Sequence, residues 1–303
     1  MKRAIRVAIP FIVAAIVASA CGSAGTSGGA KPPITIGSTN FSEQLILGEL
    51  YSQILEANGY TVTRKFNLGN REIVFPALLS GQIDMEADYL ATLLAFVDKT
   101  ATGSTDPKQT GATLQKALDP KNATVLDYAP AVDQNGFVVT KATADKYKLA
   151  KLSDLTPVAN QLTLGGPAEC PNRPFCALGL KNTYGITFKE FKPLDTGGPL
   201  TVTALRGGQI DVGLLFTSDA RIAAEGFVLL EDDKHLQLSD NVAPVVRNEY
   251  LSKAGDDFKK LINSIAPKLT TAELTGLNKL ADIDKKDPKD IAKEWLKKQG
   301  LIK

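Results

Sequence analysis

The sequence predicts an α/β protein of two similar lobes facing each other across a cleft, on three observations. The octapeptide Ala77-Leu78-Leu79-Ser80-Gly81-Gln82-Ile83-Asp84 returns as Ala204-Leu205-Arg206-Gly207-Gly208-Gln209-Ile210-Asp211. Each copy follows a glycine-bearing loop, at residues 67–70 and 195–199, and runs into an expected strand, at residues 85–89 and 212–216. Once a leader is removed, about 280 residues remain, too many for one core and comfortable for two.

In chain order, Ile34-Thr35-Ile36-Gly37 reads as a strand entering the loop Ser38-Thr39-Asn40-Phe41-Ser42-Glu43. Ser42 is the expected N-cap of a helix whose buried face carries Leu45, Ile46, Leu50, Ile54 and Leu55. Gly81 stops the next helix, and Ile83-Asp84 opens the strand after it. Leu162-Thr163-Leu164-Gly165-Gly166 begins the same rhythm again in the second half, where Gly208 repeats the stop. Strand, glycine loop, helix, strand is a βαβ pattern, so each lobe should hold a largely parallel sheet.

The run ending Val138-Val139-Thr140 is expected to cross to the second lobe, and the stretch from Val242 to Arg247 to return. Residues 256–303 then read as helical. Their last helix should be capped by Asp287, opened by Pro288, buried through Ile291, Ala292, Trp295 and Leu296, and stopped by Gly300. The expected division is a signal peptide at 1–20, a tether at 21–33, a first lobe of 34–138 plus 241–303, and a second lobe of 139–240.

Lys2, Arg3 and Arg6 precede an apolar run from Val7 to Ala20 that is too short for a membrane span of about 20 residues and matches a secretory leader. It ends Val17-Ala18-Ser19-Ala20-Cys21-Gly22, which resembles a bacterial lipobox with Ala18 where Leu or Val is usual. Lipidation at Cys21 is therefore expected; plain cleavage after Ala-x-Ala with an incidental cysteine is the alternative. The Gly/Ser-rich residues that follow suit a flexible leash on the outer face of the cell membrane.

Cys170 and Cys176 remain, an even pair six positions apart that reads as a local disulfide in a secreted protein. With His235 the only histidine, neither a zinc site nor a Ser-His-Asp triad finds its partners. No phosphate-loop motif occurs, and a net charge of +2 with scattered basic residues argues against nucleic acid. The expectation is a non-enzymatic protein without metal or cofactor, monomeric, that binds a small molecule.

Ligands of open α/β sheets meet the loops beyond the carboxyl ends of strands. In the first lobe these loops offer Asn40, Phe41 and Gln44, then Glu86, Asp88, Tyr89 and Thr92, then Gln134, Asn135 and Phe137. The second lobe offers Glu169, Thr196 and Gly197, then Phe216, Thr217, Ser218 and Asp219. Acids beside an aromatic ring, as in Glu86-Ala87-Asp88-Tyr89, suit a cation without N–H groups; solvated acids beside a core tyrosine is the plainer reading. Arg221 is more simply a salt-bridge partner of Asp219 than a clamp for a carboxylate. Asp84 and Asp211, repeated at equivalent strand starts, point to a structural role.

The segments Ile36–Gln44, the loop ending at Tyr89, Glu169–Cys176, Phe216–Asp219, Leu230–Lys234 and Asn241–Arg247, in this order, resemble the glycine betaine/choline/carnitine-type substrate-binding proteins of osmoprotectant ABC importers, in an actinobacterial-like branch. The resemblance implies a periplasmic-binding-protein fold of type II with two hinge crossings, closing on a solute that is passed to a membrane permease and its ATPase. Such proteins often hold a trimethylammonium head among tyrosines. By motif position Tyr89, Phe137 and Phe216 fall in cage slots, while Glu86 replaces a tyrosine found in some members and no aromatic stands near Asp240-Asn241. The cage is thus thinner in tyrosine and richer in acids and amides. The resemblance implies a quaternary amine such as glycine betaine, choline or carnitine. A non-quaternary polar or aromatic solute is the alternative, and an esterase-like secreted enzyme using His235 is a further one.

Overall fold

A computed structural model describes residues 31–303. The leader, the Cys21 anchor and most of the tether expected from the sequence lie outside the described residues.

The chain first lays down β1 (Ile34–Gly37), α1 (Ser42–Ala57), β2 (Val62–Lys65), α2 (Arg71–Leu79) and β3 (Met85–Tyr89). It continues through α3 (Leu90–Val97), α4 (Pro107–Leu118) and β4 (Ala123–Val125). A second run holds β5 (Asn135–Val139), α5 (Lys141–Tyr147), β6 (Thr163–Pro167), the single turn α6 (Ala177–Gly179) and β7 (Glu190–Leu194). There follow α7 (Pro199–Arg206), β8 (Val212–Phe216), α8 (Arg221–Ala224) and β9 (Val228–Leu229). The chain then returns with β10 (Val242–Arg247) and closes with α9 (Asn248–Asn263), α10 (Thr271–Asp282) and α11 (Pro288–Lys298).

Ten strands form two sheets of the same design, β2-β1-β3-β10-β4 and β7-β6-β8-β5-β9. In each, three strands run parallel, and the fourth lies antiparallel to its neighbours on both sides. That fourth strand is the one entered directly from a crossing, β10 in the first lobe and β5 in the second. The two crossings lie side by side: Val132 bridges Asn241, and the Asp133 amide donates to the Asp240 carbonyl at 3.0 Å.

The repeated octapeptide does the same work twice. Gly81 and Gly208 take left-handed φ values of 77° and 67° past the ends of α2 and α7, a conformation glycine adopts without a steric penalty. Next, the Asp84 carboxylate accepts from the Thr35 amide and the Asp211 carboxylate from the Thr163 amide, each at 2.9 Å. Their own amides donate back to the carbonyls of Thr35 and Thr163. Each aspartate thus fastens the start of one parallel strand to the next, as the structural reading expected.

Two local expectations fail. Asn135–Val139 pairs with β8, so the first crossing ends before Asn135 rather than after Val138. An apolar run announces a strand but not which sheet it joins. Ser42 is not the N-cap of α1; Phe41 holds that position, and the Ser42 hydroxyl donates to Asp282 at 2.7 Å instead. At the far end Asp287 caps α11 by accepting from the Lys289 amide at 2.8 Å, with Ile291, Ala292, Trp295 and Leu296 buried below it, as read from the sequence.

Each sheet has its own core. In the first lobe α1 is buried along most of its length among β1, Phe258, Leu274 and Trp295. In the second, Phe137, Leu164, Val212 and Leu214 pack with Tyr184, Ile186 and both cysteines, which are joined in a disulfide.

Candidate functional site

A cavity of about 450 Å³ lies where the strand-end loops of the two lobes meet. The first lobe lines it with Asn40, Phe41 and Gln44 after β1, with Asn70 and Arg71 opening α2, and with Asp88, Tyr89, Thr92 and Phe96. The second lobe supplies Asn135, Glu169, Arg173, Phe175, Thr196 and Phe216. Phe41 and Phe216 stack across the lobes with ring centroids 5.0 Å apart. Beyond that stack is a second cavity of about 270 Å³, where Gly197, Ser218 and Asp219 lie.

Of the residues expected at the site, ten line the main cavity: Asn40, Phe41, Gln44, Asp88, Tyr89, Thr92, Asn135, Glu169, Thr196 and Phe216. Four line neither cavity. Phe137 is 1% exposed inside the second-lobe core: it shares a face of β5 with Asn135 but lies two residues further from the strand end that meets the cavity. Glu86 shares a face of β3 with Asp88 but lies two residues deeper, fully buried; burial, then the Asp88 charge, pushes its pKa well up. Gln134 and Thr217 pair with each other instead: the Gln134 amide donates to the Thr217 hydroxyl and the Thr217 amide to the Gln134 carbonyl, both at 2.9 Å.

Asp88 is not a free carboxylate. Arg71 meets it through Nε at 2.9 Å and through Nη2, and Nη2 also donates to the Thr92 hydroxyl at 2.8 Å. Among the described residues the Arg71 Nη1 group has no hydrogen-bond partner, although the residue lines the cavity. The other lining acids are Glu72 and Glu169, both beside Arg173, and Asp133 and Asp240, both buried at the crossings. Burial pushes Asp133 well up, and the charge of Glu43 adds to it. Burial pushes Asp240 to about 7, opposed by its bond from the Thr92 amide and by Arg71. Arg221 pairs with Asp219 at 2.7 Å, the salt bridge that the sequence favoured.

Sequence reasoning missed Arg71, Phe96, Arg173, Phe175 and Asp240. Four carried a usable signal. Arg71 directly follows the repeated glycine loop, and Arg173 and Phe175 lie inside the cysteine-bracketed segment. Phe96 stands one helical turn beyond Thr92, on the same face of α3. Arg173 also spans the lobes, reaching Glu72 at 2.8 Å while standing 3.2 Å from Glu169 of its own loop.

Two duplicated lobes, two adjacent crossings and a lined cavity between them define a two-lobed solute receptor. The chain belongs to the family described as the substrate binding domain of ABC-type glycine betaine transport systems, which matches residues 32–298. It is a substrate-binding protein of an ABC importer. It is 29% identical to the carnitine transport binding protein OpuCC of Listeria monocytogenes, across 96% of this chain and 95% of that one. It is 26% identical, over 89% of its length, to the ergothioneine transport permease/ergothioneine binding protein EgtU of Helicobacter pylori, of which it spans 48%. A solved structure described as a glycine betaine/carnitine/choline ABC transporter superposes with a TM-score of 0.69 at 31% identity, covering 88% of this chain and 99% of that one.

Proposed function

We propose that this chain captures a small zwitterion with a quaternary ammonium head in the cavity between its lobes, using the residues that line that cavity, and hands it to a membrane permease. The observation that carries this reading is the polarity of the cavity. Phe41, Tyr89, Phe96, Phe175 and Phe216 supply aromatic surface for a cation, and Asp133 and Asp240 supply carboxyls. Arg71, its Nε and Nη2 taken by protein, keeps Nη1 for a carboxylate or hydroxyl. Transport rather than catalysis is supported by the placement of His235, which sits exposed in a turn and lines neither cavity. Binding proteins of ABC importers are extracytoplasmic; for this chain we add a lipid anchor at Cys21 after removal of residues 1–20, a monomeric state, and a second lobe of residues 135–240.

Thermal unfolding with carnitine, glycine betaine and choline tests the solute. A ligand at about 1,000 times its Kd stabilises the native state by about 4 kcal/mol. Carnitine and glycine betaine should shift the midpoint more than choline, which lacks the carboxylate. No shift from any of the three, or choline binding as tightly as the zwitterions, would remove the reading.

Delivery needs a contact on each lobe. Ile73 and Leu200, 52% and 63% exposed, are the most exposed large apolar side chains among the described residues. They hold equivalent places in the repeat, in the first turns of α2 and α7. Equivalent apolar contacts on two similar lobes suit a permease made of two like halves. Ile73→Asp with Leu200→Asp should leave solute affinity unchanged and abolish uptake through the importer; normal uptake would place the contact elsewhere.

A further inference from the structure

Glu43, in the first turn of α1, is 3% exposed and lies outside the main cavity, yet it touches both that cavity's wall and the opposite lobe. One carboxylate oxygen accepts from the Tyr89 hydroxyl at 2.6 Å. The other accepts from the Ser218 hydroxyl of the second lobe at 2.8 Å and from the Asn278 amide of α10 at 2.6 Å. Tyr89 in turn accepts from the Gln44 amide at 3.1 Å, so its ring is held from two sides beside the cavity. Ser218 is 1% exposed, and its backbone amide donates to Asp133 at the first crossing at 3.0 Å.

We propose that Glu43 is the positioning residue that links solute capture to lobe closure, through the relay Tyr89–Glu43–Ser218. This rests on the receptor reading above, with the solute against Tyr89. The physical reason lies in the carboxylate. A buried carboxylate needs its donors, and leaving it short of one costs far more than an exposed group would lose. Its donors come from three elements, β3, α10 and the turn after β8, and only the last belongs to the second lobe. Separation of the lobes removes the Ser218 hydroxyl and leaves Glu43 with donors from the first lobe alone. Closure returns that donor and fixes Glu43, which fixes the Tyr89 hydroxyl, so the tyrosine presents one ring orientation to the solute. By linkage, whatever the solute gains from that orientation is returned as preference for the closed state. The charged groups around Glu43 fit this role. Of the neighbouring acids, Asp282 accepts from the Ser42 hydroxyl and stands 3.5 Å from Arg221, and Asp133 accepts from the Ser218 amide; Arg221 itself is paired with Asp219.

The test is a double-mutant cycle of Tyr89→Phe and Ser218→Ala, each also made in the Glu43→Gln background. Calorimetry with carnitine, choline and glycine betaine as probes gives affinity. Solution scattering and hydrogen exchange of residues 216–219 report closure. Each single change should weaken the probes that bind by about fivefold, the worth of one hydrogen bond. The double variant should lose little more than the worse single one, since both break one relay, and in the Glu43→Gln background neither should cost anything further. Scattering should show a smaller closed fraction in every variant. Losses that multiply independently, or affinity falling in Ser218→Ala with closure unchanged, overturn the relay. If none of the probes binds the unaltered protein, the solute assignment fails by itself, and the relay is judged without ligand. Ser218→Ala and Glu43→Gln should then each speed exchange at residues 216–219 and enlarge the radius of gyration, and unchanged exchange there overturns it.

Discussion

Arg71→Ala should lower stability by about 3–5 kcal/mol, because it leaves the Asp88 carboxylate buried without its cation. The side chains of Arg71 and Asp88 are 10% and 5% exposed, and the guanidinium grips both carboxylate oxygens. The change also takes a donor from Thr92 and a neighbouring positive charge from Asp240. For a protein of this size the thermal midpoint should fall by about 10 °C. Arg71→Ala with Asp88→Asn should recover part of the loss, since an amide tolerates burial that an unpaired carboxylate does not. Arg71→Lys keeps the charge but not the planar fork. It should hold most of the stability and still weaken carnitine relative to choline. An unchanged melting midpoint for Arg71→Ala would mean that Asp88 does not depend on this pair.

Acidification should weaken capture of a cationic head, by about tenfold per pH unit below about 7, as Asp240 takes up a proton. Its ligand-free stability should move the opposite way. Folding raises the Asp240 pKa from 3.8 to about 7, so the folded state holds the proton across that window. The contribution of this group to stability is greatest at the acid end and is lost as pH rises toward 7. Glu43, Glu86 and Asp133 are raised by burial as well and add to that slope. Arg71, Asp88 and Asp133 are charged groups that interact with Asp240, and the Thr92 amide is its donor. Asp240→Asn isolates the effect: it keeps an acceptor for Thr92 and should flatten the pH dependence of affinity while weakening it at neutral pH. Calorimetry from about pH 5 to about pH 8 decides. A slope that survives Asp240→Asn would assign the titration to Asp133.

Much of the architecture could be read before any coordinates, because the signals were local. Gly81 and Gly208 with the aspartates after them mark the same turn and the same strand clasp twice, and a doubled motif is hard to misread. The wall made by Asn40, Phe41, Gln44, Tyr89 and Phe216 followed from the rule that ligands gather beyond strand ends. What escaped is tertiary. Nothing near Asp88 announces that an arginine seventeen positions earlier will neutralise it. Asp240 lines the cavity only because the return crossing passes beside the outgoing one, a juxtaposition absent from any single stretch of sequence. Phe137 and Glu86 were drawn to the site by their neighbours, but each sits two residues deeper in its strand than the lining residue on the same face, Asn135 and Asp88.

The adjacent crossings also set an order of assembly. All strands of the second sheet come from residues 135–229, one uninterrupted stretch, whereas the first sheet keeps a place between β3 and β4 for β10. As the chain is laid down from its N-terminus, the later-numbered half is complete and free to fold while the earlier one still waits for an interior strand. The inserted half is thus a cassette, removable with a short linker between Val132 and Asn241, and its host must be finished last.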